Sequence, residues 1–280
     1  LGVRVSKLER NADMVKWNGV AEYTAKNVIV EHSANDNDGQ QNNVLFRLEP
    51  SAEINSNWHV KARLDANSNL KNDTGSSTGL NADGDSNVKL KRIWAQGDYS
   101  NFQVKVGKFA PIDNDSIFDT TFSGAEASFG KAAKLTLGAG RINDGLGLSA
   151  SARALIITVH PELSDLNDSA ANYQYAGLDL NRGKLAVGAS YHHLNTSELK
   201  LLGDYKNHGI SDEANIWMLK GGYTFSKNVA LTGYYAENRD ADNFNKAAAA
   251  QLTYKGADSA NKGTWGTWVA YRHLGQYVDR

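Results

Sequence analysis

Charged residues occupy every second position in several segments of this chain, between apolar neighbours, and that spacing is the first sign of chemistry. His59, Lys61, Arg63 and Asp65 alternate with Val60, Ala62 and Leu64. Arg47, Glu49 and Glu53 alternate with Phe46, Leu48, Ala52 and Ile54, and Gln103 and Lys105 alternate with Phe102, Val104 and Val106. Successive side chains of a strand point to opposite faces, so each segment has one charged face and one apolar face. Lys220 and Arg272 join the charged face by the same rule. Simple alternation puts Arg92 with Leu90 and Trp94, and a bulge in that strand would be needed to turn it to the charged side. A face carrying both signs suits water and salt, and it biases the orientation of a charged solute.

A second constellation lies in residues 110–123, where Asp113, Asp115 and Asp119 stand among Ile112, Ile117 and Phe118. Apolar residues in a connection need something to pack against. Folded inward, this segment would set its carboxylates, with Glu126 just beyond, against Arg47, Arg63, Lys105 and Arg92. Opposed charges across a narrow passage create a transverse field that selects ions. The alternative is an ordinary external connection.

The elements that must position these residues follow from the alternation. It predicts strands over 17–30, 44–54, 58–66, 88–99, 102–109, 124–129, 135–142, 173–180, 185–193, 216–225, 229–237, 247–254 and 265–274. In residues 185–192, Leu185, Val187, Ala189 and Tyr191 share one face, and Ala186, Gly188, Ser190 and His192 the other. The connections fall into two classes. Short ones of two to five residues alternate with long ones rich in Asn, Asp, Ser and Gly, until the longer final link over 255–264. Aromatic or large aliphatic residues flank most of the short turns: Ile54, Trp58, Tyr99, Phe102, Phe129 and Phe225. Short turns at one end, long loops at the other and aromatics where strands leave lipid describe an antiparallel transmembrane β-barrel. Thirteen strands is an odd number, so closure at 14–16 strands, with 16 favoured, needs one or three more. The stretch 145–159 could hide a strand pair or a short helix. An open lumen and a narrow barrel filled by paired charges both remain compatible with the charged face.

Composition agrees. Lys plus Arg is 30 against 31 for Asp plus Glu, which excludes a strongly basic nucleic-acid binder, and the absence of cysteine excludes disulfides and thiolate metal sites. Mean hydropathy is −0.50, and no run of about 18 apolar residues could form a spanning helix. A barrel strand needs only about 10 residues, half of them apolar, so it escapes that measure. Before the sheet, Leu1, Val5, Leu8, Ala12 and Val15 follow a four–three spacing. Residues 1–16 therefore read as the end of a coiled-coil stalk, or as a short amphipathic helix, ahead of a barrel over 17–280. Coiled-coil partners would make the protein an oligomer. No secretory signal stands at Leu1, so the sequence is expected to be mature or to begin within a longer protein.

Other signals carry less. Asn35 to Gly39 and Asp83 to Asp85 lack the bidentate glutamate of a calcium loop. His192 and His193 point to opposite faces of a strand and cannot share a metal. Gly138, Gly140, Gly145 and Gly147 read as strand bends rather than a phosphate cradle. His160, His192 and His208 have no organised nucleophile, so neither an enzyme nor a cofactor is expected.

Several segments resemble the OmpM family, outer-membrane porins of diderm Firmicutes. Lys7-Leu8-Glu9 running into Val15-Lys16-Trp17-Asn18-Gly19 is similar to its stalk-to-barrel junction. Val104-Lys105-Val106-Gly107-Lys108-Phe109-Ala110-Pro111 followed by Phe122-Ser123-Gly124-Ala125-Glu126 is similar to its constriction strand and loop, and residues 264–272 to a late strand. The resemblance implies a homotrimer of sixteen-stranded barrels in the outer membrane, among lipid and lipopolysaccharide, passing small hydrophilic solutes. It also implies an N-terminal S-layer-homology domain, absent from this sequence, that ties the membrane to cell-wall polymer. Two other readings stay open: a soluble β-rich binding module on a trimeric stalk, and an outer-membrane barrel hydrolase.

Overall fold

The computed structural model describes residues 14–30, 37–69, 87–117, 121–142, 150–161, 164, 171–201, 211–258 and 261–278. Within them the chain is all-β, with thirteen strands in chain order. It divides into two units, residues 1–97 and 98–280.

The first unit is an antiparallel run of β1 (Val15–Val30), β2 (Asn37–Glu53), β3 (Trp58–Asn69) and β4 (Asn87–Asp98). Val15 and Lys16, expected at the end of a stalk, start β1 opposite Ala52 and Ser51. The remaining stalk positions, residues 1–13, lie outside the described residues, as do the second acidic cluster at 83–85 and His208. β2 begins at Asn37, seven residues before the expected start, and β3 runs to Asn69. These extensions are polar. Backbone pairing continues past the point where apolar residues stop marking it, because ladder hydrogen bonds need no particular side chain.

The second unit holds β5 (Phe102–Phe109), β6 (Phe122–Phe129), β7 (Ala133–Ile142), β8 (Ala171–Arg182), β9 (Leu185–Asn195), β10 (Glu213–Ser226), β11 (Val229–Asn238), β12 (Lys246–Lys255) and β13 (Gly266–His273). Each pairs antiparallel with the next. The helix α1 (Ala150–Val159) occupies the described part of the ambiguous stretch before β8. Among the described residues no helix is long and apolar enough to cross a membrane.

In both units the apolar face is the exposed one. Val106 is 51% exposed, Leu219 53% and Leu90 49%, whereas Asp65, Glu126 and His192 are buried. A water-soluble sheet buries the opposite set. Apolar groups outside and polar groups inside suit a strand that faces lipid, where a Lys or Arg at mid-depth would cost about 2–4 kcal/mol.

Candidate functional site

In the first unit the polar face gathers cations on three adjacent strands. Arg47 of β2 grips Asp65 through Nε and Nη2 at 2.9 and 3.2 Å, and Arg63 of β3 grips the same carboxylate at 3.1 and 2.9 Å. Two paired guanidinium groups on one carboxylate leave an excess positive charge. Lys61 shares this face by alternation. The pairing shifts between Arg63 and Leu64, so that Leu64 meets Leu90 while Arg63 meets Arg92, and Lys91 is the extra residue. This is the bulge that the sequence required, and it carries Arg92 to the face of Arg63. Beyond it Trp94 turns to the polar face too, opposite Lys61, and donates to Gln96 at 3.2 Å. Its expected place among the apolar residues is thereby corrected.

In the second unit two ion bridges lean on glycine. Lys105, Glu126, Gly138 and Tyr175 form one row across β5 to β8. The Lys105 ammonium lies 2.9 Å from Glu126 Oε1, and the Tyr175 hydroxyl donates to Oε2 at 2.7 Å. Tyr175 reaches Glu126 only because Gly138 has no side chain; a Cβ there would overlap the ring. Likewise Lys220 of β10 passes over Gly188 of β9 to approach Asp179 of β8 at 3.1 Å. Arg272 occupies the row of Ala249 and Tyr234 on the same face, exposed.

The connection after β5 turns onto this face. Residues 111–117 make a tight turn in which the Ser116 and Ile117 amides donate to the Asp113 carbonyl at 2.9 and 3.0 Å. Asp113 has φ 56°, a left-handed conformation that aspartate tolerates. Ile117 is fully buried, and the Ile112 side chain lies against Gly177. Beneath the turn sits an aromatic floor: Phe122 packs edge-on to Phe109 and Tyr173, and Tyr173 stacks on His192.

Asp113 anchors the turn. Its Oδ1 lies 2.7 Å from the Lys220 ammonium; its Oδ2 accepts from Ser190 at 2.6 Å and lies 3.3 Å from His192 Nε2. Burial works to raise the Asp113 carboxyl. Hydrogen bonds from His192, Lys220 and Ser190, with the attraction of Lys220, outweigh it and hold the group well below the ordinary carboxylate range. Asp115 is exposed at the rim. Asp119 lies outside the described residues. Glu126, in the expected strand 124–129, lies in β6 and neutralises Lys105 directly. One expectation is corrected. Asp113 is met by Lys220, not by Lys105.

Ser190, Asp179, Tyr173 and Tyr175 were not singled out from sequence as site residues, and His192 was weighed as a metal or catalytic residue and set aside. Alternation does give their faces; nothing local gives their partners. Ser190, His192 and Asp113 are the residue types of a hydrolytic triad, but the wiring differs. A carboxylate can only accept, so the Ser190 proton goes to Asp113 rather than to the imidazole, whose Nδ1 is taken by the Tyr173 hydroxyl at 2.6 Å. His192 is fully buried. Among the described residues no group of three or more His, Cys, Asp or Glu side chains could hold a metal. What remains open is a cavity of about 690 Å³ bordered by Asp113, Asp115, Asp179, Lys134, Lys220 and Arg272.

No protein-family model matches this chain, and no curated protein matches it. Solved structures do. OprB of Pseudomonas putida, at high pH, aligns over 99% of this chain and 79% of its own with TM-score 0.58 and 14% identity. Salmonella typhi OmpF in complex with daunomycin aligns over 92% and 89% with TM-score 0.51 and 11% identity. A mutant porin of Rh. blastica aligns over 94% and 86% with TM-score 0.51 and 11% identity. At these identities the likeness is one of fold, and the fold is that of the antiparallel porin β-barrel.

Proposed function

We propose that this chain is the barrel of an outer-membrane porin, through which small hydrophilic solutes diffuse passively. The observation that carries the reading is the connection 110–117, held on the polar face by Asp113 beside a cavity lined with both signs of charge. A wall-anchored segment narrows a passage without filling it, and opposed charges there act on ions by field rather than by binding. Lys61, Arg63, Arg47, Arg92, Lys105, Lys220 and Arg272 are the lumen cations of this reading. Asp113, Asp115, Asp119 and Glu126 are its acids.

The finer assignment is of the OmpM type. It is a homotrimer among outer-membrane lipid and lipopolysaccharide, and in a longer protein it tethers that membrane to cell-wall polymer. The exposed apolar face argues against a soluble binding module, and the wiring of Ser190 argues against a hydrolase. Purified protein in planar bilayers should give ohmic conductance steps. Protein that stays monodisperse without detergent and gives no steps would refute the reading.

A further inference from the structure

The short-turn end of β6 to β13 carries a strong excess of positive charge. Its turns and their flanks hold Lys131, Arg182, Lys184, Lys227, Lys255 and Lys262, against Asp258 as the acid among them. The opposite end is reversed: each of the connections 110–121, 143–170, 196–212 and 239–245 has more acids than bases in its sequence. Charge is therefore sorted by end, and the lumen needs no such sorting.

The cations also sit at a particular height. Each but Lys262 lies within two residues of an exposed large apolar side chain, as Lys131 does to Phe129, Arg182 to Leu180, Lys184 to Leu185 and Lys227 to Phe225. Two of them are held at the edge of that belt rather than projecting away. The Lys184 ammonium donates to the Phe225 carbonyl at 3.2 Å. The Lys255 ammonium lies 4.4 Å over the Trp265 ring and 5.6 Å over the Tyr254 ring. Successive hairpins stand two strands apart, about 10 Å, close to the screening length at physiological salt, so the fields of neighbouring turns overlap.

From this placement we infer that the short-turn rim of β6 to β13 binds anionic phospholipid headgroups of the leaflet it faces. Ammonium and guanidinium groups one turn beyond an apolar belt lie at the depth of lipid phosphates, and a ring of them attracts acidic lipid by charge. A cell-wall polyanion would also be attracted. It would favour cations that project past the membrane surface, whereas Lys184 and Lys255 are tied to the belt. The inference rests on the membrane-barrel reading.

The test uses the full chain in detergent with equal amounts of phosphatidylglycerol and phosphatidylcholine, and counts the lipids retained by native mass spectrometry. Phosphatidylglycerol should be preferred by about tenfold at low salt, and the preference should fall as salt rises. The variant Arg182→Gln, Lys184→Gln, Lys227→Gln and Lys255→Gln should lose it while migrating on gels as a folded barrel. Lys200→Gln with Arg239→Gln, at the long-loop end, should keep it. Equal retention of both lipids by wild-type barrel overturns the inference and leaves the porin reading standing. So does a fourfold variant that keeps its lipid preference but no longer pellets with cell-wall sacculi. A chain that is soluble without detergent fails the membrane reading itself.

Discussion

The Lys220 ammonium lies 2.7 Å from the Asp113 carboxylate although 107 residues separate them. That contact joins the turn after β5 to the wall strand β10. Ser190 and His192 of β9 hold the other carboxylate oxygen. Charge-assisted hydrogen bonds contribute about 1.5–3 kcal/mol each, so the turn is anchored more firmly than its short local hydrogen bonds would achieve. Asp113→Asn with Lys220→Met should free it. The expected result is a noisier open-channel current and a higher size limit for neutral sugars in liposome swelling, with gel migration of the folded barrel unchanged. A quiet trace and an unaltered cut-off would show that the turn is held by Ile117 and the aromatic floor instead.

The same anchor sets a pH dependence. The Asp113 carboxyl is held below its unfolded value of about 4. A depressed carboxylate contributes stability that is complete above the unfolded value and is lost as pH falls through the folded one. Wild-type current noise should therefore stay flat from pH 7 down to about 4 and rise only in stronger acid. Asp113→Asn should be noisy throughout, so the two proteins should converge at low pH. Convergence already at pH 6 would assign the transition to another group.

Much of the fold is legible in the sequence, because a strand that separates lipid from water must alternate. The faces of Lys105, Lys220 and Arg272 follow from that alone. Arg92 was legible as an exception, since an arginine beside Leu90 violates the pattern and a bulge at Lys91 repairs it. Trp94 changes face with Arg92, because a bulge turns every residue beyond it together. The polar start of β2 was invisible, since Asn and Gln pair through backbone without marking a side. Site partners were the least legible. Glu126 lies 21 residues from Lys105 and 49 from Tyr175. Only strand register, which sums over the whole sheet, brings them together.

Selectivity should respond to Lys105. Its ammonium offsets Glu126, so Lys105→Gln leaves a buried carboxylate facing the polar side and Lys105→Glu adds a second. Both should move the reversal potential in a salt gradient toward cation preference, the second further. Arg92→Gln, on the polar face opposite Arg63, should act in the same direction. A reversal potential indifferent to Lys105 would remove the Lys105–Glu126 pair from the conducting path.

The glycine bridges make a prediction that isolates packing from charge. Gly138→Ala places a methyl group where the Tyr175 ring lies. Overpacking of this kind costs about 1–3 kcal/mol, and the temperature at which the barrel unfolds on gels should fall accordingly. Tyr175→Ala also destabilises, by removing the ring and its bond to Glu126, but it empties the space that the methyl needs. In the double variant the glycine substitution should then cost almost nothing, a coupling expected of residues in direct contact. If the two losses add in full, Gly138 serves the bend of β7 rather than the passage of Tyr175 to Glu126.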